Sequence, residues 1–476
     1  MRRISYFLAI CLLAAGAWTG AFAQDKTVKR IIETGTTDNR TMEHADWLAN
    51  RIGGRIVGSP SLTQAEAWVK EQFESWGLEV MVQEAGEINV GFNRGPWYGR
   101  MLSEDGMTLH FGTPSYTAGT KGKQAGPVLL EPKTKRDFDR IKGALKGSWV
   151  LLNEESNGMA LDWREEADTL FYREMVDAGI LGFIRSAQVP IRIMYDRKHC
   201  FDLTMDNLPT VCDILLDEAQ FKIIKEKVIR KDIFQLEFDI RNHFYRGPVK
   251  YNNIIGILRG SKYPNEYVLA GGHLDSYDTA GGAVDDGNGT SVTMEAARLI
   301  ATSGAKPKRT ILFCIWTAEE FGLLGSKYFV ENKTVPLEKI SNYFNRDGGP
   351  LCATGVDVPP AMYDDFVEIC KPLESMNPEF PFKVSKRQGP ARPRPAQAGG
   401  SDHAYFAMNG VPAISFRETD PKGYNFDYGE IWHTERDFYN KLIPEYMEHS
   451  AVVTAVVLYG LSNLDHLLSR EDLYQE

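Results

Sequence analysis

The chain has 476 residues, 43 % of them apolar and 25 % charged, and a formal net charge of −10. That length suits two or three domains, and the composition is that of a globular protein, which excludes wholesale disorder. An acidic chain without a long basic run is a poor partner for nucleic acid, and that function class is set aside.

Residues 1–23 read as an export signal. Arg2 and Arg3 open it, Tyr6 to Ala17 form a short apolar stretch, and Ala21-Phe22-Ala23 make a small-x-small cleavage site before Gln24. The stretch is short for a membrane span, and no later segment is apolar enough to cross a bilayer. The mature protein is therefore expected to be secreted or periplasmic, with no stable membrane insertion. No cysteine follows the cleavage site, which argues against a lipid anchor. Cys200, Cys212, Cys314, Cys352 and Cys370 remain; export permits disulfides, and Cys200 with Cys212 is the nearest plausible pair.

Thr41 to Val80 reads as helical, broken at Gly53-Gly54 and Gly58-Ser59-Pro60. Beyond the break, Ala65, Trp68, Val69, Phe73 and Trp76 recur at helical spacing and mark one buried face. Leu78 to Gln83 looks like a first strand. From about 120 to 247 the pattern changes: Pro127–Leu130 and Trp149–Leu152 are short apolar runs, Tyr172–Gly179 is helix-like, and Ile180–Arg185 is another run. This stretch reads as an inserted α+β domain, flanked by a catalytic domain in two parts, 24–119 and 248–476.

Past Tyr251 the alternation is regular. Ile254–Leu258, Tyr267–Ala270, Thr310–Thr317, Ile340–Phe344 and Pro412–Phe416 read as strands, Gly289–Thr302 as a helix and Ile443–Leu467 as a long terminal helix. Continuous apolar strands alternating with helices imply an α/β fold whose mixed, mostly parallel sheet is covered on both faces. Ligands in such sheets gather at the carboxyl ends of the strands.

Five metal-capable residues fall at strand ends or in the loops after them: His273, Asp285, Glu320, Asp347 and His433. Two imidazoles and three carboxylates suit two zinc ions that share one carboxylate and keep open positions for water. Asp275 is positioned to accept the second ring N–H of His273 and fix its tautomer. The glycines around Ala283-Val284-Asp285-Asp286 let the backbone bend tightly, making Asp285 the candidate shared ligand, while Asn288 reads as an ordinary turn or cap residue. Glu319 and Glu320 would repel each other after a buried strand unless a cation lies nearby, and Glu319 is then a candidate general base. Taken singly, each residue also has a plain structural reading as a turn, cap or surface residue; the weight lies in the set. The remaining histidines have no companions at ligand spacing and read as structural.

His-Leu-Asp at 273–275, Gly-Ala-Val-Asp-Asp-Gly at 282–287, Trp-Thr-Ala-Glu-Glu at 316–320, Asp347 and His-Thr-x-x-Asp at 433–437, in that order, resemble the co-catalytic di-zinc exopeptidases. That family includes bacterial zinc aminopeptidases and the carboxypeptidase Q group, and the similarity is greatest to the latter over Tyr251 to Val330. The inserted stretch resembles a protease-associated domain through Lys146-Gly-Ser-Trp-Val-Leu-Leu and Asp177-Ala-Gly-Ile-Leu-Gly-Phe-Ile. The resemblance implies one zinc on Asp285, Glu320 and His433 and another on Asp285, His273 and Asp347, with Asp275 behind His273 and Glu319 as general base. It implies a peptide or dipeptide substrate and leaves open which terminus is read. Lys386, Arg387, Arg392 and Arg394 form a basic loop that either holds a substrate carboxylate or is merely solvated. Asp402 is either a support for the site or the cap of a helix running to Asn409. Two other readings stay open: a silent, receptor-like homologue that binds peptides, and a zinc acyltransferase of the glutaminyl-cyclase type, which needs one metal. Oligomeric state is not legible.

Overall fold

The computed structural model describes residues 26–103, 106–161, 171–195 and 197–475. The expected export signal lies outside them. No helix among the described residues is long and apolar enough to cross a membrane.

A five-stranded sheet forms the centre of the fold. Its strands are β1 (Glu79–Asn93), β2 (His243–Leu258), β3 (Tyr263–His273), β4 (Arg309–Trp316) and β5 (Ile340–Asn345), in the spatial order β1-β2-β4-β3-β5. The sheet is mixed, but not mostly parallel. β3 runs parallel to β4 and β5, while β2 runs antiparallel to β1 and β4. β1 and β2 form a long antiparallel ribbon, and the chain between them builds separate sheets.

Residue type explains the sheet's position. All of β4, Arg-Thr-Ile-Leu-Phe-Cys-Ile-Trp, is buried, as expected for a strand covered on both faces. Burying each of Ile311, Leu312, Phe313 and Ile315 contributes on the order of 1.5–3 kcal/mol. One face carries α1 (Pro60–Ser75), α2 (Asn288–Thr302) and α3 (Pro444–Ser462), whose apolar residues share a core with Ile254, Val268, Phe313 and Ile315. The other face packs Phe329 and Phe406 against Trp316 and Tyr343. α1 starts where Ser59 Oγ accepts the Leu62 amide at 3.1 Å with Pro60 as the first helical residue, an arrangement that suits both residues.

Some boundaries differ from those read in the sequence. Pro412–Phe416 is not a ladder strand. Its Pro412 carbonyl accepts Tyr343 N–H at 2.9 Å, but the regular strand is Phe416–Thr419, paired with Cys352–Val358 in a different sheet. The terminal helix ends at Ser462, not at Leu467. No disulfide joins Cys200 to Cys212: both are buried thiols, one in the main core and the other in the core of the region between β1 and β2.

That region contains two sheets. One joins Trp97–Leu102, Gln235–Ile240 and Gln124–Gly126; the other orders Phe111–Gly112, Cys212–Asp217, Gly182–Ala187, Trp149–Glu155 and Val128–Leu130. The two share a core in which Trp149, Ile184 and Ile214 of the second meet Leu236 and Phe238 of the first.

His449, on α3, packs against Phe380 with ring centres 5.3 Å apart. Burial drives its imidazole down to about 4. The unfolded chain binds a proton below about 6.5, whereas the folded one stays neutral until about 4. Stability is therefore lost as pH falls through this window. Between about pH 6.5 and 5.5 the wild-type chain is expected to lose about 1 kcal/mol more unfolding free energy than His449→Gln. Denaturant titrations at the two pH values measure this, and equal losses would refute it.

Candidate metal centre

The carboxyl ends of β3, β4 and β5 lie at one level, because His273 pairs with Trp316 and Gly271 with Asn345. His273 is the last residue of β3, Glu319 and Glu320 follow β4 by three and four positions, and Asp347 follows β5 by two. Asp285 comes from the bend before α2, and His433 from a distant loop. The structure brings these side chains together. His273 Nε2 lies 3.2 Å from Asp285 Oδ1 and 3.8 Å from Asp347 Oδ1. His433 Nε2 lies 3.2 Å from Asp285 Oδ2 and 3.0 Å from Glu320 Oε2. Asp285 thus presents one oxygen to each imidazole.

Hydrogen bonds from behind hold each residue. His273 Nδ1 donates at 2.9 Å to the main-chain carbonyl of Asp275, leaving Nε2 to face the cluster. The Asp275 carboxylate does not fill that role: its Oδ1 is 3.8 Å from Nδ1. It accepts instead the amides of Glu319 and Glu320 at 3.0 and 3.2 Å, and so fixes the turn in which Ala318 takes φ 55°. Asp286 accepts His273 N–H at 3.0 Å and Gly289 N–H at 2.8 Å, tying β3 to the start of α2. Asn288 does not act as a cap; its amide reaches the Gly349 carbonyl at 2.7 Å.

Two supports were not singled out in the sequence. Asp437 accepts the amides of Val284 and Asp285 at 2.6 and 3.1 Å. Arg55, fully buried, donates to the carbonyls of Gly281 and Gly282 at 2.9 and 2.8 Å, and to Leu274 at 2.7 Å. Asp437 stands in the His-Thr-x-x-Asp run, but nothing local to it names the partner 152 residues away. Gly282 has φ 59°, a conformation that favours glycine, and an added Cβ there would sit 2.2 Å from Ser276 Oγ.

Asp402 does not cap its helix through its side chain. Its carboxylate accepts the Ser326 hydroxyl and is buried, and burial raises it to about 7. The basic loop is solvent-exposed at Lys386, Arg392 and Arg394, and Arg387 donates to the carbonyl of Leu473 at 3.2 Å.

The electrostatics are those of a crowded anionic site. Burial, with the charges of Asp347, Glu320 and Asp402, pushes Glu319 well above the usual carboxylate range, against the pull of His273. Burial and the neighbouring Asp285 raise Glu320 to about 7. Burial opposes charge on both histidines, yet the surrounding acids prevail. His273 stands well above its ordinary value, held there by Glu319, Asp285 and Asp347, and His433 is raised to about 9 by Glu320 and Asp285. Asp285, though buried, is lowered by its two imidazole partners.

The site opens into a cavity of about 570 Å³ bordered by Glu319, Asp347, Tyr405, Tyr428 and Trp432. Asp285 Oδ2 and Glu320 Oε1, both on the cluster, are buried without a hydrogen-bond partner. Such orphans are expected where a cation belongs. Two groups suit metal ions, His273 with Asp285 and Asp347, and Asp285 with Glu320 and His433; in each, the ligand atoms lie within 4.8 Å of one another. Nitrogen and oxygen donors in sets of three fit zinc.

Fold and site define a metallo-exopeptidase. Residues 253–458 match Peptidase family M28. It is 26 % identical to carboxypeptidase Q of Mus musculus over 500 residues, spanning 99 % of this chain and 100 % of the mouse protein. Among solved structures, the peptidase M28 precursor of Shewanella amazonensis matches 94 % of this chain and 98 % of its own, at 20 % identity and a TM-score of 0.60. A zinc aminopeptidase of Bacillus subtilis matches 92 % of this chain and 98 % of its own, at 19 % identity and a TM-score of 0.55. These two likenesses are of fold.

Metal binding requires neutral imidazoles and ionised carboxylates. His433 holds its proton up to about 9, so a metal must displace it at neutral pH. Apparent zinc affinity should therefore rise with pH, about tenfold per unit for each proton displaced. Chelator-competition titrations between about pH 6 and pH 8 read the slope. An affinity that stays flat over that range would contradict this electrostatic picture.

Proposed function

We propose that the chain is an exported exopeptidase that holds two zinc ions and hydrolyses peptide bonds near a chain terminus, as an aminopeptidase or a dipeptidase. The observation that carries this reading is Asp285, one oxygen toward His273 and the other toward His433, each imidazole with a further acid beside it. In this assignment Asp285, His273 and Asp347 hold one ion, and Asp285, Glu320 and His433 hold the other. Export rests on the leader read in residues 1–23. The region between β1 and β2 is proposed as the protease-associated-like insertion.

When bound, the ions would lower the pKa of a water held between them and polarise the scissile carbonyl. The chain's own residues supply the rest. Glu319, its amide fixed by Asp275 and its side chain bordering the cavity, takes the proton of the attacking water and returns it to the leaving nitrogen. Burial and the neighbouring acids push this carboxyl well above the usual carboxylate range when no cation is present, and a general base must be ionised. Glu319 is thus matched to a site that carries positive charge only when loaded. Tyr428 and Trp432 wall the cavity.

Glu319→Gln should keep bound zinc and lower turnover by at least about a hundredfold, the scale of a general base. Metal analysis and steady-state rates on the same preparation test it; near-normal turnover would remove Glu319 from the role. Dipeptides, aminoacyl anilides and N-blocked peptides, assayed with and without chelator, separate the amino-terminal from the dipeptide reading. Hydrolysis of none of them by zinc-loaded protein would refute the exopeptidase assignment.

A further inference from the structure

The region between β1 and β2 reaches back to the candidate metal centre. After the strand Gly182–Ala187 the chain passes through Ile191–Ile193 and lies along the loop that carries His433. Ile193 N–H donates to the His433 carbonyl at 2.9 Å, and Glu435 N–H donates to the Ile191 carbonyl at 3.0 Å. Arg192 and Thr434 pair as an isolated antiparallel bridge. The Arg192 guanidinium lies over the Trp432 ring at 5.0 Å, and that ring stacks on His433 at 4.0 Å.

Glu435 closes this junction with its side chain. One carboxylate oxygen accepts the Ile191 amide at 3.1 Å, and the other lies 2.8 Å from Nε2 of His110. His110 precedes the strand Phe111–Gly112, and its Nδ1 is 3.4 Å from Asp217 at the end of a neighbouring strand. The link therefore runs from the sheet of one region to the loop of the other.

His433 depends on such a link more than His273 does. The His273 ring is oriented by the hydrogen bond from its Nδ1 to the Asp275 carbonyl. His433 Nδ1 is buried with no hydrogen-bond partner, so no hydrogen bond from that atom sets the ring's aim. His433 also has φ 58°, a conformation a histidine keeps only when its surroundings enforce it. The aim of Nε2 is then fixed by the main chain on either side and by the rings of Trp432 and Tyr277, 4.0 and 4.5 Å from the imidazole.

We propose that Glu435 is a positioning residue for the metal position served by His433, and that the inserted region, through Ile191 and His110, sets the affinity of that position. The proposal rests on the two-metal reading above. It assigns the insertion a part in assembling the centre, although it contributes no ligand.

The test is stepwise zinc titration of the full chain against a chromophoric chelator, with the step that disappears in His433→Ala taken as the His433 position. Glu435→Ala should weaken that step by about ten- to a hundredfold, the range for partners that orient a ligand, and leave the other within about twofold. His110→Ala, made outside the loop on its exposed partner, should shift the same step in the same direction by about three- to tenfold. Glu435→Gln, which keeps an acceptor for Ile191 and offers a donor to His110, should stay within about threefold of wild type. If Glu435→Ala fails to fold, His110→Ala and Glu435→Gln decide the matter. Equal weakening of both steps, or two steps unchanged in Glu435→Ala and His110→Ala, overturns the proposal while leaving the two-metal reading intact. A wild-type chain that binds no zinc removes both.

Discussion

Acidic side chains packed out of water around two imidazoles impose the condition that the rest of the molecule meets. Asp285, Glu319, Glu320 and Asp347 converge on His273 and His433, with Asp275, Asp286, Asp402 and Asp437 close behind. Desolvated carboxylates at this density repel one another unless cations or hydrogen bonds compensate. The acids behind the cluster are met by hydrogen bonds: amides for Asp275, Asp286 and Asp437, and a serine hydroxyl for Asp402. Of those in front, Asp285 and Glu320 each keep a buried oxygen with no hydrogen-bond partner, as Asp402 does behind them.

Chain topology makes this arrangement possible. Parallel pairing of β3 with β4 and β5 brings three strand ends to one edge. His273, the Glu319–Glu320 turn and Asp347 then meet without any of them being near another in sequence. Asp285 is supplied by the bend before α2, where Arg55 and Asp437 fix the backbone from opposite ends of the chain. Strand ends and a helix buried over all but its last two residues hold ligands more exactly than exposed loops could, and a di-metal site tolerates little slack.

Much of this was legible in the sequence, and what was missed has a common cause. The apolar run of β4, the helix after the glycine-rich bend, and the placing of His273, Glu319, Glu320 and Asp347 at or just after strand ends follow from local pattern and residue type, whereas Asp285 and His433 stand in a bend and a loop. The mostly parallel sheet does not hold because the β1–β2 ribbon pairs residues 150 or more positions apart, which no local period reports. Asp275 was given the right neighbourhood and the wrong bond. Its carbonyl, a group every residue carries, serves His273, and its side chain serves the Glu319–Glu320 turn. Arg55 and Asp437 escaped notice because their partners are main-chain groups, which leave no signature in residue identity. The Cys200–Cys212 pairing failed for a similar reason: twelve positions of separation say nothing about which of two cores each thiol enters.

The buried thiols set the character of the molecule's metal chemistry. Every cysteine among the described residues is enclosed, and burial pushes Cys212, Cys352 and Cys370 up to about 12. None of these three presents a thiolate to solvent near neutral pH, so the soft donors that attract copper(I) or mercury are hidden in the fold. Competition among metal ions is left to imidazole and carboxylate alone. With no bridge among the described residues to reduce, their fold should be indifferent to the redox poise of whatever compartment holds the chain.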